Sequence, residues 1–252
     1  MPRLLADCGN TTIKLAEADG AFAGPFSRLP PDPAQLAAWF AAHPADELAI
    51  APGAAATTRV LLAAAPAHLR RRLVGSDLPL PDLGQYPGCG IDRVLAGLAA
   101  GRRQREPVIV LDCGTATTIS AWLVVAPLID VRPVAAISFA GGLILPSARA
   151  CLVGLHACAP ALPLVDPGGP EAGADQHDTR AALSAGIGIG YGPMVASCLL
   201  KLRRETGAQR LVVTGGDAGL ILSSRIAAET DLVPELVLQG LAWLAATDQR
   251  PL

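Results

Sequence analysis

Two short segments of the chain share an arrangement of residues that could bind phosphate. In LLADCGNTTIKL, near the start, Asp7 and Gly9 follow an apolar run, and in VLDCGTATTISAW the equivalent residues are Asp112, Gly114 and Thr115. Glycine lets a backbone approach a phosphate closely, and hydroxyls and amides can bond its oxygens. A carboxylate can hold the cation that accompanies a phosphate. Either copy alone is typical of a simple turn, but two copies that both continue into Thr-Thr-Ile favour a pair of hairpins that clamp a polyphosphate.

Two further segments carry residues that could take part in a reaction or bind an anion. Gly90-Ile91-Asp92-Arg93 follows a loop rich in Pro and Gly and begins a predicted helix. Its carboxylate could accept a proton from a hydroxyl, and its guanidinium offers a planar fork of donors to a carboxylate. Taken alone, the pair is more typical of a structural salt bridge at a helix start. LVVTGGDAGL predicts a buried strand, a Gly-rich turn and a helix whose first amides favour an anion. Neither GxGxxG nor GxxxxGK[ST] occurs, so dinucleotide and P-loop sites lack support.

The elements that must position these residues alternate between strand and helix, which predicts an α/β fold. We predict a helix capped by Asp32, a second that Pro66 ends or kinks, and a closing amphipathic helix in ELVLQGLAWLAATDQ. In GGLILPSARA we predict a Gly-Gly turn before a helix. Residues 181–200 are long enough to span a bilayer, but their glycines and Pro193 predict two short buried helices about a bend.

Composition limits the classes of function. The 252 residues carry a net charge of -2, so nothing favours a nucleic-acid-binding face. The arginines at 70–72 and at 102, 103 and 105 are interpreted as solvated helix ends. The segment Met-Pro-Arg-Leu-Leu-Ala-Asp meets a charge too early for a signal peptide, and the four histidines lack metal-ligand spacing. Six cysteines without a CxxC pair indicate free thiols in a reducing cytoplasm. We expect no membrane span, because of the glycines and the proline in residues 181–200.

Five motifs in order along the chain, DCGNTTIK, GIDR, DCGTATT, GGLILP and TGGDA, resemble those of the type III pantothenate kinases, a family of the actin-like ATPase superfamily that includes the Bvg accessory factor branch. The resemblance covers essentially the whole chain. It implies two ribonuclease-H-like domains, each a mixed β-sheet flanked by helices, with the active site in the cleft. We place these domains at residues 1–105 and 106–252, where the last helix could pack back on the first domain.

The resemblance also implies an activity and a role for particular residues. The expected reaction is the ATP-dependent phosphorylation of pantothenate to 4'-phosphopantothenate, the first step of coenzyme A biosynthesis, by a homodimer with residues 183–200 as one possible contact. Asp92 would be the catalytic proton acceptor and Asp112 the ligand of a monovalent cation, potassium or ammonium, with Mg²⁺ accompanying the nucleotide. The expected ATP-binding residues are Asp7, Cys8, Gly9, Asn10, Thr11, Thr12, Ile13, Lys14 and Thr115. The expected pantothenate-binding residues are Tyr86, Gly90, Ile91, Asp92, Arg93 and Thr179.

Three features depart from the family pattern. Ser120 stands where many relatives have aspartate, Ser147 stands where glycine is common, and the segment before Thr179 is longer and richer in proline than expected.

Two alternative functions stay open: a regulatory nucleotide-binding protein without turnover, and another kinase or phosphatase of the superfamily. Intact Asp92 and Arg93 favour catalysis over binding alone, and GxDR after a Tyr-bearing loop favours pantothenate over the other kinases.

Overall fold

The computed structural model describes residues 3–124, 136–222 and 230–248. These residues divide into two units, each with a single five-stranded sheet. Unit 1 contains residues 3–105, 136–139 and 235–248, and unit 2 contains residues 106–124, 140–222 and 230–234.

The sheet of unit 1 has the order β3-β2-β1-β4-β5. Its strands are β1 (Arg3–Cys8), β2 (Ile13–Asp19), β3 (Phe22–Leu29), β4 (Glu47–Ala51) and β5 (Arg70–Leu73). The first three strands form an antiparallel meander, whereas β4 and β5 are parallel to β1. The helices of the unit are α1 (Pro33–Ala42), α2 (Ala55–Ala64), α3 (Ile91–Gln104) and α7 (Leu236–Thr247).

Unit 2 repeats this topology in the order β8-β7-β6-β9-β10. Its strands are β6 (Val108–Cys113), β7 (Ala116–Val124), β8 (Ile137–Pro146), β9 (Arg210–Thr214) and β10 (Thr230–Leu232). The first residues of β8, up to Phe139, are counted with unit 1. As in unit 1, the central strand pairs with one antiparallel and one parallel neighbour. The helices of the unit are α4 (Ala148–Cys158), α5 (Thr179–Thr206) and α6 (Ala218–Leu222). The predicted fold class, α/β with two mixed sheets flanked by helices, is confirmed.

The central strands are buried on both faces, so the strand that leads into each hairpin is held firmly within its sheet. Every residue of β4 is buried, and only Asp7 in β1 and Asp112 in β6 are less than fully buried within their strands. Helix α7 is not the amphipathic helix that we predicted, because it is buried on nearly all sides. It packs so closely on α3 that a Cβ on Gly240 would lie 2.2 Å from the Leu95 carbonyl oxygen. Helix α7 also contacts β1, β3 and β4, so it holds α3, and with it Asp92, in place beside the sheet.

The arginines at 70–72 do not end a helix as predicted. Helix α2 ends at Ala64, and the arginines form β5, where alternation turns Arg72 into the interior. There the Arg72 guanidinium lies 3.8 Å from Glu47, which also accepts a 2.7 Å hydrogen bond from Arg3, and it bonds the Asp248 carboxylate. A buried charge needs such partners because burial in a low-dielectric interior is costly.

Two predictions based on glycine are also wrong. Gly141 and Gly142 lie inside β8, and residues 179–206 form one continuous helix rather than two about a bend. Pro193 is on the exposed side of α5, where the carbonyl that it leaves unpaired can reach water. By length and composition α5 could cross a membrane, and 33% of its apolar window is buried. This is weak evidence for a span, since a core helix of a water-soluble domain passes the same test.

Candidate active site

The first hairpin presents exposed polar side chains at the end of β1. Its connection, residues 9–12, is closed by a 3.0 Å hydrogen bond from the Gly9 amide to the Thr12 carbonyl, and Asn10 and Thr11 are exposed at its tip. Thr57 of α2 donates its hydroxyl to the Gly9 carbonyl at 2.7 Å and so fixes the start of the turn. The amide and hydroxyl groups of this tip can therefore face a phosphate.

Asp7 and Lys14 face each other across this hairpin. They are directly paired in the β1–β2 register, and Lys14 Nζ lies 3.7 Å from Asp7 Oδ2, with 13% of each side chain exposed. Burial raises the pKa of Asp7 from 3.8 to about 6; the Lys14 ammonium opposes this rise and the charge of Asp92 adds to it. Because the charge of Asp92 raises the pKa of Asp7, these two carboxylates interact electrostatically. Such a pair suits a site that binds cations and phosphate together.

The GIDR segment begins α3 as predicted, and its glycine has a steric reason. Gly90 is the N-cap, and Asp92 Oδ1 accepts a 2.8 Å hydrogen bond from the Arg93 amide. A Cβ on Gly90 would lie 2.3 Å from that same oxygen. Glycine is thus the residue that leaves room for the Asp92 carboxylate to fold back over the first turn of α3, where the helix dipole favours its negative charge.

Arg93 packs against a pair of aromatic rings. It is buried, and its Nη1 donates a 2.6 Å hydrogen bond to the Tyr86 hydroxyl. Its guanidinium carbon lies 5.8 Å from the ring centroids of both Tyr86 and Phe139, and the two rings meet edge to face at 5.9 Å. Tyr86 and Arg93 lie together, as their predicted shared role requires. Phe139 was not predicted as part of this group, because no local sequence pattern marks it. Cys89 lies beside this group with a pKa raised mainly by burial, so it is not an activated nucleophile.

The second hairpin has a shorter connection than the first. Only residues 114 and 115 join β6 to β7, and the Gly114 amide donates to the Ala116 carbonyl at 3.1 Å. Thr115 is exposed, and the half-buried Asp112 lies directly before the turn. Among the residues that the structure describes, no three His, Cys, Asp or Glu side chains form a metal cluster. A cation at Asp112 would therefore depend on carbonyl and hydroxyl oxygens in addition to this one carboxylate.

The TGGD segment packs against Cys113, the last residue of β6 before the second hairpin turn. Gly215 has a φ of 96° and approaches Cys113 so closely that a Cβ would lie 2.4 Å from its carbonyl. The Asp217 amide donates to that carbonyl at 2.9 Å, and the buried Thr214 hydroxyl donates to Pro234. The prediction that the amides of this turn are free for an anion is therefore wrong for Asp217. Unit 1 contains the same contact, since a Cβ on Gly53 would lie 1.8 Å from the Cys8 carbonyl.

The residues that depart from the family pattern have structural roles. Ser147 is the N-cap of α4 and accepts a 3.1 Å hydrogen bond from the Ala150 amide, so its helix start is intact. Ser120 is buried within β7. Thr117, on the same strand, bonds the hydroxyl of Tyr191, a buried residue of α5.

Thr179 is exposed at the first position of α5. Asp178, not Thr179, is the N-cap of this helix and accepts from the Arg180 and Ala181 amides. The neighbouring Arg180 lines a cavity of about 490 Å³, which Arg149 and the loop before α5 also line. Thr179 is therefore next in sequence to a residue that lines this cavity, and is not itself one of the lining residues.

The fold of the chain is shared with other solved proteins. A Baf-family protein from Campylobacter jejuni shares the fold with a TM-score of 0.56 at 18% identity, over 97% of each chain. The ethanolamine utilization protein EutJ from Carboxydothermus hydrogenoformans shares it with a TM-score of 0.51 at 15% identity, over 97% of this chain and 90% of its own.

Sequence comparison places the chain in one protein family. The model of the type III pantothenate kinase family matches residues 3–200, and the chain belongs to that family. A type III pantothenate kinase of Synechococcus elongatus is 33% identical over 70% of this chain and 66% of its own length. That of Rhodopirellula baltica is 35% identical over 68% of this chain and 60% of its own. The matched region thus spans less than two thirds of these relatives. The predicted family is confirmed.

Proposed function

We propose that the protein is a pantothenate kinase, which transfers a phosphoryl group from ATP to the primary hydroxyl of pantothenate. The observation that carries the proposal is the start of α3, where Gly90 leaves room for the Asp92 carboxylate and the next residue is an aromatic-flanked arginine. Such a segment offers a proton acceptor for an alcohol and a planar cation for a carboxylate at adjacent positions. Pantothenate carries both groups, and family membership supports the same reaction.

Each step of the reaction has a residue suited to it. The two hairpins would bind the phosphates of ATP, through residues 7–14 of the first and Thr115 of the second. Asp92 would accept the proton of the attacking hydroxyl, a contribution worth about 10²- to 10⁴-fold in rate. Arg93, with Tyr86 and Thr179, would bind pantothenate. ATP supplies the phosphoryl group, and positive charge near its phosphates stabilises the charge that spreads over their oxygens during transfer.

Cations would supply part of that positive charge. We assign a monovalent cation, potassium or ammonium, to Asp112, because this carboxylate is half-buried directly before the hairpin turn. Mg²⁺ would accompany the nucleotide, as a cation that prefers phosphate oxygens and one or two carboxylates. Lys14 adds a fixed positive charge beside the first hairpin.

We further propose a homodimer in a reducing, cytoplasmic setting. Gly186 and Gly190 lie on the exposed side of α5 with open space where a side chain would be, so a second helix could approach closely. All six cysteines are unpaired. Sedimentation of the wild type and of Gly190→Leu would test the dimer: the proposal expects the wild type at twice the monomer mass and weakened association in the variant.

A direct assay tests the kinase reaction. Formation of 4'-phosphopantothenate from ATP and pantothenate would be measured with and without potassium for the wild type, Asp92→Asn and Asp19→Asn. Asp19 is an exposed carboxylate at the end of β2, so its variant controls for the loss of one negative charge. We expect product from the wild type and from the control, more with potassium, and a fall in kcat of about 10²- to 10⁴-fold in Asp92→Asn. A wild type that makes no product in any salt would refute the proposal.

A further inference from the structure

The position of Phe139 links two parts of unit 1 that are distant in sequence. Phe139 lies near the start of β8, and its amide donates a 2.7 Å hydrogen bond to the carbonyl of Leu83. Leu83 is buried in the loop that leads to Tyr86 and GIDR. The backbone of Phe139 therefore anchors the loop that carries Tyr86, three residues before that tyrosine.

The side chain of Phe139 acts on the same group. Its ring lies 5.8 Å from the guanidinium carbon of Arg93, as does the ring of Tyr86, and both distances are within the range of cation–π attraction. The Tyr86 hydroxyl also accepts a hydrogen bond from Arg93. Two rings and one directional bond together restrict both the position and the plane of the guanidinium.

The plane of a guanidinium matters for what it binds. Arginine recognises a carboxylate through two parallel N–H donors in a fixed fork, which requires the two planes to be aligned. A side chain with this many rotatable bonds would otherwise lose conformational freedom when the ligand binds. A guanidinium that is already oriented avoids part of that cost.

We propose that Phe139 is a positioning residue for substrate binding: with Tyr86 it fixes the plane of the Arg93 guanidinium, so that the carboxylate of pantothenate meets a preoriented fork. The inference rests on the proposed function, since it deepens the role of Arg93 in that site. Phe139 itself need not touch the substrate. Its effect should appear in the binding of pantothenate and not in the binding of ATP.

Steady-state kinetics separate this role from a general structural one. In Phe139→Leu we expect KM for pantothenate to rise about five- to tenfold, the size of one lost cation–π contact, while kcat and KM for ATP change less than about twofold. Phe139→Tyr keeps a ring and should keep the wild-type KM. Phe22→Leu removes an exposed ring from β3 in the same unit and should change neither constant. Equal changes in both KM values, or no change in Phe139→Leu, would overturn the inference.

A double-mutant cycle with Arg93→Lys tests whether Phe139 acts through the guanidinium. Lysine has no plane to orient, so adding Phe139→Leu to Arg93→Lys should raise the calorimetric Kd for pantothenate by less than about twofold. Full additivity of the two substitutions would overturn the inference. If the leucine variant does not fold, Phe139→Met retains more of the apolar volume and is used in its place. An inactive wild type would instead overturn the proposed function, so the two failures are distinguishable.

Discussion

Replacement of Asp7 by asparagine is expected to stabilise the protein while it removes a functional group. Burial raises the pKa of Asp7 to about 6, even though the ammonium of Lys14 is 3.7 Å away. The ionised carboxylate is therefore less favourable in the folded state than in the unfolded chain. Because each pKa unit corresponds to about 1.4 kcal/mol, ionised Asp7 costs the folded state ~3 kcal/mol above pH 6. Asparagine has nearly the same shape and no charge to bury.

The sign of the pH dependence follows from proton binding. Between pH 3.8 and about 6 the folded protein binds more protons at Asp7 than the unfolded chain does. The free energy of unfolding of the wild type therefore falls as the pH rises through this window, and the loss is complete above it. Asp7→Asn should exceed the wild type by ~3 kcal/mol at pH 8 and by about half of that at pH 5.

Urea unfolding at pH 8 and pH 5 measures this difference directly. Asp19→Asn is the matched control, since removal of an exposed charge should change the free energy of unfolding by less than about 0.5 kcal/mol. The reasoning would be refuted if Asp7→Asn were destabilised equally at both pH values, because that result would mean that the attraction between Asp7 and Lys14 outweighs the burial of the carboxylate. A gain in stability together with a loss of kinase activity would show that Asp7 is kept for function at the expense of stability.

Three further substitutions test other contacts. Gly90→Ala should displace the Asp92 carboxylate and lower kcat by more than about tenfold in steady-state assays, because its Cβ would lie 2.3 Å from Asp92 Oδ1. Tyr191→Phe should lower the free energy of unfolding by about 1–3 kcal/mol in urea titrations, since it leaves the buried Thr117 hydroxyl without the Tyr191 hydroxyl as its partner. Glu47→Gln should cost about 3–5 kcal/mol in the same titrations, because two buried arginines are paired with this carboxylate.

Each of these three predictions has a control or an outcome that would contradict it. Gly154→Ala on the exposed side of α4 meets no atom within 4 Å and should leave kcat unchanged; equal kcat values for Gly90→Ala and the wild type would contradict the steric argument. Thr117→Val combined with Tyr191→Phe should recover part of the lost stability, because both hydroxyls are then absent. Wild-type stability in Glu47→Gln would mean that the buried arginines do not depend on its charge.

The elements that carry the proposed site residues were predictable because local signals determine them. The hairpins at Asp7 and Asp112, and the helix start at Gly90, depend on turn residues and on apolar runs that lie side by side in the sequence. The strand at Arg72 was not predictable, because its partners Glu47 and Asp248 are distant in the chain and an arginine triplet is normally solvated. Phe139 was missed for the same reason, since its relation to Arg93 exists only after folding.

The duplication extends beyond the two hairpins that make it visible in the sequence. In each unit, the parallel strand beside the hairpin is followed by a glycine that packs against the cysteine of the DCG turn, Gly53 on Cys8 and Gly215 on Cys113. The segments around these glycines, APG and TGG, have little else in common, so the sequence gives no reason to equate them. Only the backbone contact is shared, because any Cβ at either position would overlap the turn. What differs is the turn itself, four residues in unit 1 and two in unit 2. The same supporting contact therefore holds two hairpins whose turns differ in length.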